Sequence, residues 1–228
     1  MELTEKNYKE RLDYVIETNH EKGNEIDSRM REKGVECSLI MPLVEVILNF
    51  DAVKDIEYEE SSDIVRQRFD FLLDKKLLIE AKRLSESVND HLQQASDYIF
   101  KNDDIDYGIL TNGWEYAVLL QRDYIQRIAN EGKAIEQLKS KKVIHAFSIN
   151  IDENISNDNE GTSEDFIKTI KMFSKENYET TFRQLAKFIM RCYQVTQGAA
   201  YTLHDNKKIN LHLQQKVSNR HREQKGTF

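Results

Sequence analysis

The sequence predicts an α/β protein: a mixed central β-sheet flanked by helices, with an added helical segment towards the C-terminal end. Three observations lead there. Apolar residues recur at helical spacing near both ends of the chain, and in short strand-like runs between them. The order in the middle is helix, three strands, helix, two strands, which suits a sheet layered by helices. The dipeptide Asn112-Gly113 between two apolar runs is a strong hairpin signal.

Residues 4–20 read as an amphipathic helix. Tyr8, Leu12, Val15, Ile16 and Asn19 share one side, Thr4 can cap it and Gly23 ends it. A second helix covers about 25–49, with Leu39, Ile40, Leu43, Val46 and Ile47 as its buried stripe. Pro42, the one proline, lies inside that stripe and is expected to kink the helix or mark a restart. The period then changes. Residues 55–59, 65–74 and 76–82 read as strands, with Asp74-Lys75 as the reversal between the last two. A helix is expected over about 86–101, with Ser85 and Ser87 as cap candidates. Tyr107–Thr111 and Trp114–Leu120 form the hairpin, and both residues of its Asn-Gly turn are expected at positive φ.

Residues 123–139 look helical with a weak point at Gly132, and Val143–Ile149 reads as a further strand. The polar stretch 152–163 reads as a loop and the boundary of the core. Ser163 is expected to cap a helix to about 174. A last helix, about 178–197, presents Phe182, Leu185, Ala186, Ile189 and Tyr193 on one face and stops at Gly198. That apolar face must bury against the core or against a second copy. The expected division is an N-terminal helix (1–24), a core (25–151) and a C-terminal helical extension with a basic tail (163–228).

Composition narrows the classes. Of 228 residues, 39% are hydrophobic and 32% charged, which suits one sizeable core with much helical surface. No apolar run approaches the roughly 20 residues that span a bilayer, and Met1–Lys6 lacks the apolar stretch of a signal peptide. Cys37 and Cys192 stand far apart, so a reducing, cytoplasmic compartment is the expectation, with no membrane partner. The net charge of −7 argues against coating nucleic acid with the whole surface, but leaves room for a local basic track. Lys207, Lys208, Lys216, Arg220, Arg222 and Lys225 are such a cluster; it reads equally as a solvated terminus or as a contact to phosphates.

The most informative residues are Asp70, Glu80 and Lys82, charges set inside apolar strand-like runs. Burying such a charge unpaired costs several kcal/mol. Side chains alternate along a strand, so Glu80 and Lys82 point the same way, and an Asp on the preceding strand can converge on them. Two carboxylates beside a lysine suit a hard divalent cation and a water to be activated. The alternative is a structural ion-pair cluster at the end of a sheet.

The stretch Leu78-Ile79-Glu80-Ala81-Lys82-Arg83-Leu84, then Gln94 and Tyr98, then Tyr107–Gly113, resembles the N-terminal nuclease domain of type I restriction endonuclease motor subunits, within the PD-(D/E)xK nuclease superfamily. The likeness covers about residues 30–121. It implies a restriction-endonuclease-like fold in which Asp70, Glu80 and the carbonyl of Ala81 hold Mg²⁺, with Mn²⁺ able to substitute. Lys82 would orient or help deprotonate the attacking water and offset charge at the phosphate. Gln94 and Tyr98, four apart on one helical face, would hydrogen-bond a phosphate or the lysine, or else form an ordinary polar face. The family's upstream helix glutamate matches Glu32, ten residues before Pro42, with Glu36 as the substitute one turn later; both also fit a plain solvated face. Asn49-Phe50-Asp51 departs from the family's usual turn at that point.

The implied function is a Mg²⁺-dependent DNA endonuclease of restriction or phage-defence type, acting on nucleic acid in the cytoplasm. None of the eight glycines sits in G-x4-G-K-[ST], so the translocase that continues the family's chains is not expected here. The protein would work alone, or with a partner subunit supplying motor or specificity. Cutting both strands with one site per chain would favour a homodimer. A different class remains beside this one: a nuclease-fold nucleic-acid-binding or regulatory subunit that does not cut. His91, His145, His204 and His212 are scattered and assigned no metal, Trp114 reads as packing, and Arg83 could touch a phosphate or lie on the surface.

Overall fold

The computed structural model describes residues 4–22, 31–58, 70–129, 141–151 and 162–195. Six strands form one sheet in the order β1 (Ile56–Tyr58), β2 (Phe71–Leu73), β3 (Leu77–Ala81), β4 (Tyr107–Thr111), β5 (Glu115–Gln121) and β6 (Val143–Asn150). The pairs are antiparallel except β3 with β4, which run parallel. A parallel pair needs a crossover. A 3₁₀ turn at Val88–His91 followed by α3 (Leu92–Lys101) supplies it. The mixed sheet flanked by helices is therefore as the sequence predicts.

The side-chain alternation of the strands builds two apolar layers. Leu77, Ile79 and Ala81 of β3, Tyr107 and Ile109 of β4, and Tyr116, Val118 and Leu120 of β5 join the larger cluster. Leu78, Leu110, Ala117 and Leu119 face the other way, against Val88, Ala95 and Ile99 of the crossover. A bulge pairs Val118 with Phe147 and Leu119 with His145. It lets Ile144 and Ala146, then Phe147 and Ile149, all join the larger cluster.

The larger layer is covered by α1 (Glu5–Lys22), by the helical stretch that opens as α2 (Glu32–Val35), and by α4 (Arg122–Ala129), α5 (Thr162–Ile170) and α6 (Tyr178–Val195). In α1 the expected Tyr8, Leu12, Val15 and Ile16 are buried, and Thr4 Oγ1 accepts from the N–H of Asn7 at 3.3 Å. The stretch after α2 does not break at Pro42. It widens into π-helical turns at Glu36–Ile40 and again at Leu43–Ile47, and the chain stays helical through the proline. Pro42 has no N–H to give. The carbonyl of Ser38, four residues earlier, accepts from Arg11 Nη1 at 2.9 Å. Val46, expected in the buried stripe, is half-buried; Val35 and Val44 are fully buried instead.

Other local expectations shift for physical reasons. Asp74 (φ 48°) and Lys75 (φ 60°) make the β2–β3 reversal as expected. At Asn112-Gly113 only the glycine takes positive φ, 86°. The loop is longer than two residues there, because the Asn112 side chain accepts from the N–H groups of Trp114 and Glu115. Ser87, not Ser85, caps the crossover by accepting from Asn89 N. Ser163 does not cap α5: it lies buried inside the first turn, since the helix already starts at Thr162. The apolar face of α6 packs on the sheet, with Phe182 stacked on Tyr107 at 4.0 Å between centroids. Gly23, the 65–69 part of the second strand, Gly132, the loop 152–161, Gly198 and the basic tail lie outside the described residues, as do the side chains of Asn19 and Tyr193. Among the described residues, no helix is long and apolar enough to cross a membrane.

Candidate active site

The site forms where β2 begins, β3 ends and the α2 stretch passes over the end of the sheet. Register explains the first meeting. Phe71 pairs with Ile79, so continuing the antiparallel ladder sets Asp70 opposite Glu80. Asp70 lies one residue before β2, not within it as the sequence reading had it. Its Oδ2 accepts from the Ala81 N–H at 2.6 Å. Glu80 shares the face of Leu78, and Lys82 follows two residues on. Lys82 Nζ donates to Glu80 Oε1 at 2.7 Å, with both residues buried, 5% and 3% exposed.

The α2 stretch brings both upstream glutamates. Glu32 Oε1 stands 3.9 Å from Lys82 Nζ. Glu36, one turn on, is buried at 5% and is paired with Lys33. Glu32, Glu36 and Asp70 each offer a carboxylate oxygen, and these oxygens lie within 4.8 Å of one another. The sequence reading left Glu32 and Glu36 as alternatives. Their spacing of four puts them on one face, and both reach the cluster. Gly113, at positive φ, lies under that helix: a Cβ there would meet Leu39 Cδ1 at 2.7 Å and Val35 Cγ1 at 3.2 Å.

Burial sets the electrostatics. It pushes the Asp70 carboxyl up to about 6, against the Ala81 N–H bond, with Glu36 adding like charge. Burial, then the charge of Asp70, pushes Glu80 up to about 7 in spite of Lys82. For Lys82, burial works against the ammonium, but Glu80, Glu32 and Asp70 outweigh it and raise its pKa. Lys82 is therefore a cation at neutral pH. Glu80 Oε2 is buried and has no hydrogen-bond partner among the described residues. A buried carboxylate oxygen left unsatisfied is costly. The carboxylate oxygens of Glu32, Glu36 and Asp70, within 4.8 Å of one another, are the kind of donor a hard divalent cation takes; Glu80, held by Lys82, is not one of that group.

Gln94 and Tyr98 bond each other, Nε2 to hydroxyl at 2.8 Å, on α3. The structure gives neither a hydrogen bond to Lys82 or to the carboxylates. Arg83 is exposed beside Glu86, whose carboxylate also meets His91 Nε2 at 2.9 Å. Trp114 is buried, as a packing residue is. One residue at the site escaped the sequence reading: Asn112, seen there only as a turn former, is buried and bonds four backbone groups. An asparagine between an apolar strand and a glycine carries no mark that separates these two uses. Comparison with protein-family models, curated proteins and solved structures finds no match to this chain.

Proposed function

We propose that this protein is a Mg²⁺-dependent nuclease of restriction-endonuclease-like fold, cutting phosphodiester bonds in DNA in the service of restriction or phage defence. The observation that carries the reading is the convergence of Asp70, Glu80 and Lys82 at one sheet end, with Glu32 and Glu36 drawn to the same point. A structural ion pair needs one carboxylate for one ammonium. Here Glu80 and Glu36, both buried, and Asp70 and Glu32, both half-buried, gather near Lys82, and among the described residues Glu80 Oε2 has no partner. Even with Lys33 paired to Glu36, four carboxylates face two ammonium groups, and a bound cation would offset the difference.

Asp70, Glu80 and the carbonyl of Ala81 would hold the ion, with Glu36 or Glu32 beside them. A bound Mg²⁺ supplies Lewis acidity towards a phosphate and lowers the pKa of a water. Lys82 acts as a fixed cation: it orients the water and offsets charge growing on the phosphate oxygens. The Ala81 N–H holds Asp70 in place, and Glu80 holds the ammonium within reach. Arg83, exposed and paired with Glu86, would exchange that partner for a neighbouring phosphate.

The test is cleavage of plasmid, single-stranded DNA and RNA with Mg²⁺, with Mn²⁺ and with EDTA, by the wild type and by Lys82→Ala and Asp70→Ala. Metal-dependent cutting of DNA by the wild type alone supports the reading. Binding to nucleic acid with no cutting would favour the non-cutting regulatory subunit instead. Equal cutting by all three proteins would remove the trio from the chemistry.

A further inference from the structure

The turn between β4 and β5 is tied to more than its own strands. Asn112 is 4% exposed and its carboxamide is fully used. Its Oδ1 accepts from the N–H of Trp114 at 2.9 Å and of Glu115 at 2.7 Å, which closes the turn. Its Nδ2 donates to the carbonyls of Leu84 at 3.3 Å and Glu86 at 2.9 Å, on the stretch that follows Lys82. A turn needs only the first pair. The second pair reaches a segment some 26 to 28 residues away in sequence.

Leu84 packs on the main core and the Glu86 carboxylate meets Arg83 and His91, but the backbone of the segment leaves the ladder here. The Lys82 N–H donates to Thr111 O at 2.7 Å, past the end of the β3–β4 ladder. Beyond it the chain leaves the sheet, and the Glu86 N–H closes on Arg83 O at 3.0 Å. A shift of the Leu84 and Glu86 carbonyls turns the peptide that follows Lys82. The lysine side chain must stay on the face of Glu80 to keep its 2.7 Å contact. We propose that Asn112 is a positioning residue: by gripping the Leu84 and Glu86 carbonyls it fixes the exit of the chain from β3, and so aims Lys82 inward and Arg83 outward. Its catalytic consequence rests on the nuclease reading; the placement of Lys82 does not.

Two variants of the full chain test this, Asn112→Asp and Asn112→Ser. The aspartate keeps the acceptors for Trp114 and Glu115 but loses the donors to Leu84 and Glu86. The readouts are thermal unfolding, the ¹⁵N NMR signal of the Lys82 ammonium, and kcat and KM for Mg²⁺-dependent plasmid cleavage. The expected variants fold, shift the Lys82 signal, and lose about 10–100-fold in kcat with KM within about twofold. A Lys82 signal at its wild-type position in a folded variant overturns the proposal. So does failure of both variants to fold, which would make Asn112 a structural staple of the fold. A wild type that does not cut overturns the nuclease reading, and the Lys82 signal then decides the positioning role by itself.

Discussion

Asp70 and Glu80 hold their protons more tightly than ordinary carboxyls because burial removes the water that would solvate their charge. The sign of the consequence follows. Unfolded, the two groups titrate near 3.8 and 4.5; folded, near 6 and 7. Between those limits the folded chain binds more protons, so stability falls with rising pH. The contribution is fully present below the unfolded values and is lost as the pH climbs through the folded ones. In EDTA at pH 8, Asp70→Asn is expected to stabilise the protein by about 1–3 kcal/mol, and by less at pH 5. Denaturant unfolding at the two pH values checks it; a variant less stable than wild type at pH 8 contradicts it. The same protons would compete with a bound cation. Mg²⁺ affinity is expected to fall as the pH drops from about 8 to about 6. Calorimetry in two buffers of different ionisation heat reads the proton release; a pH-independent affinity speaks against these carboxylates as ligands.

Elements bring those residues together, and the sequence made most of the elements legible. Alternation fixed the faces of β3, β4 and β5, and Asp74-Lys75 announced its reversal, because these signals are local. The position of Asp70 outside β2 was not legible, since a carboxylate that accepts from a strand N–H reads like a strand residue. Nor was the joint use of Glu32 and Glu36, which depends on how closely the α2 stretch approaches the sheet. Gly113, whose φ of 86° disfavours any side chain, lies under that stretch against Leu39 and Val35. Gly113→Ala is expected to cost about 1–3 kcal/mol. It is also expected to weaken Mg²⁺ binding, because it pushes the helix bearing Glu32 and Glu36 outward. Chemical denaturation together with a Mg²⁺ titration checks both parts; an unchanged affinity would free the helix from any share in the site.

Across the whole molecule, α5 and α6 share one apolar cluster with the sheet and α1. Phe182 lies on Tyr107 of β4, Phe173 packs near Phe147 of β6, and Phe166 meets Tyr116 of β5. The apolar face of α6 was legible as a face, but not its partner, because periodicity says that a helix buries a stripe and not against what. Phe182→Ala is expected to cost about 3–5 kcal/mol and to lower a single unfolding transition followed equally by circular dichroism and by Trp114 fluorescence. Two separate transitions would show that the C-terminal helices unfold on their own. The central claim, that this assembly holds a cation and breaks a phosphodiester bond with Lys82 as its fixed charge, is tested most directly by one paired experiment. Mg²⁺ binding by calorimetry and plasmid cleavage are measured on wild type and Lys82→Ala side by side. The expected result is Mg²⁺ binding by both proteins and cleavage by the wild type alone. Undiminished cleavage by the variant, or a wild type that neither binds Mg²⁺ nor cuts, would contradict it.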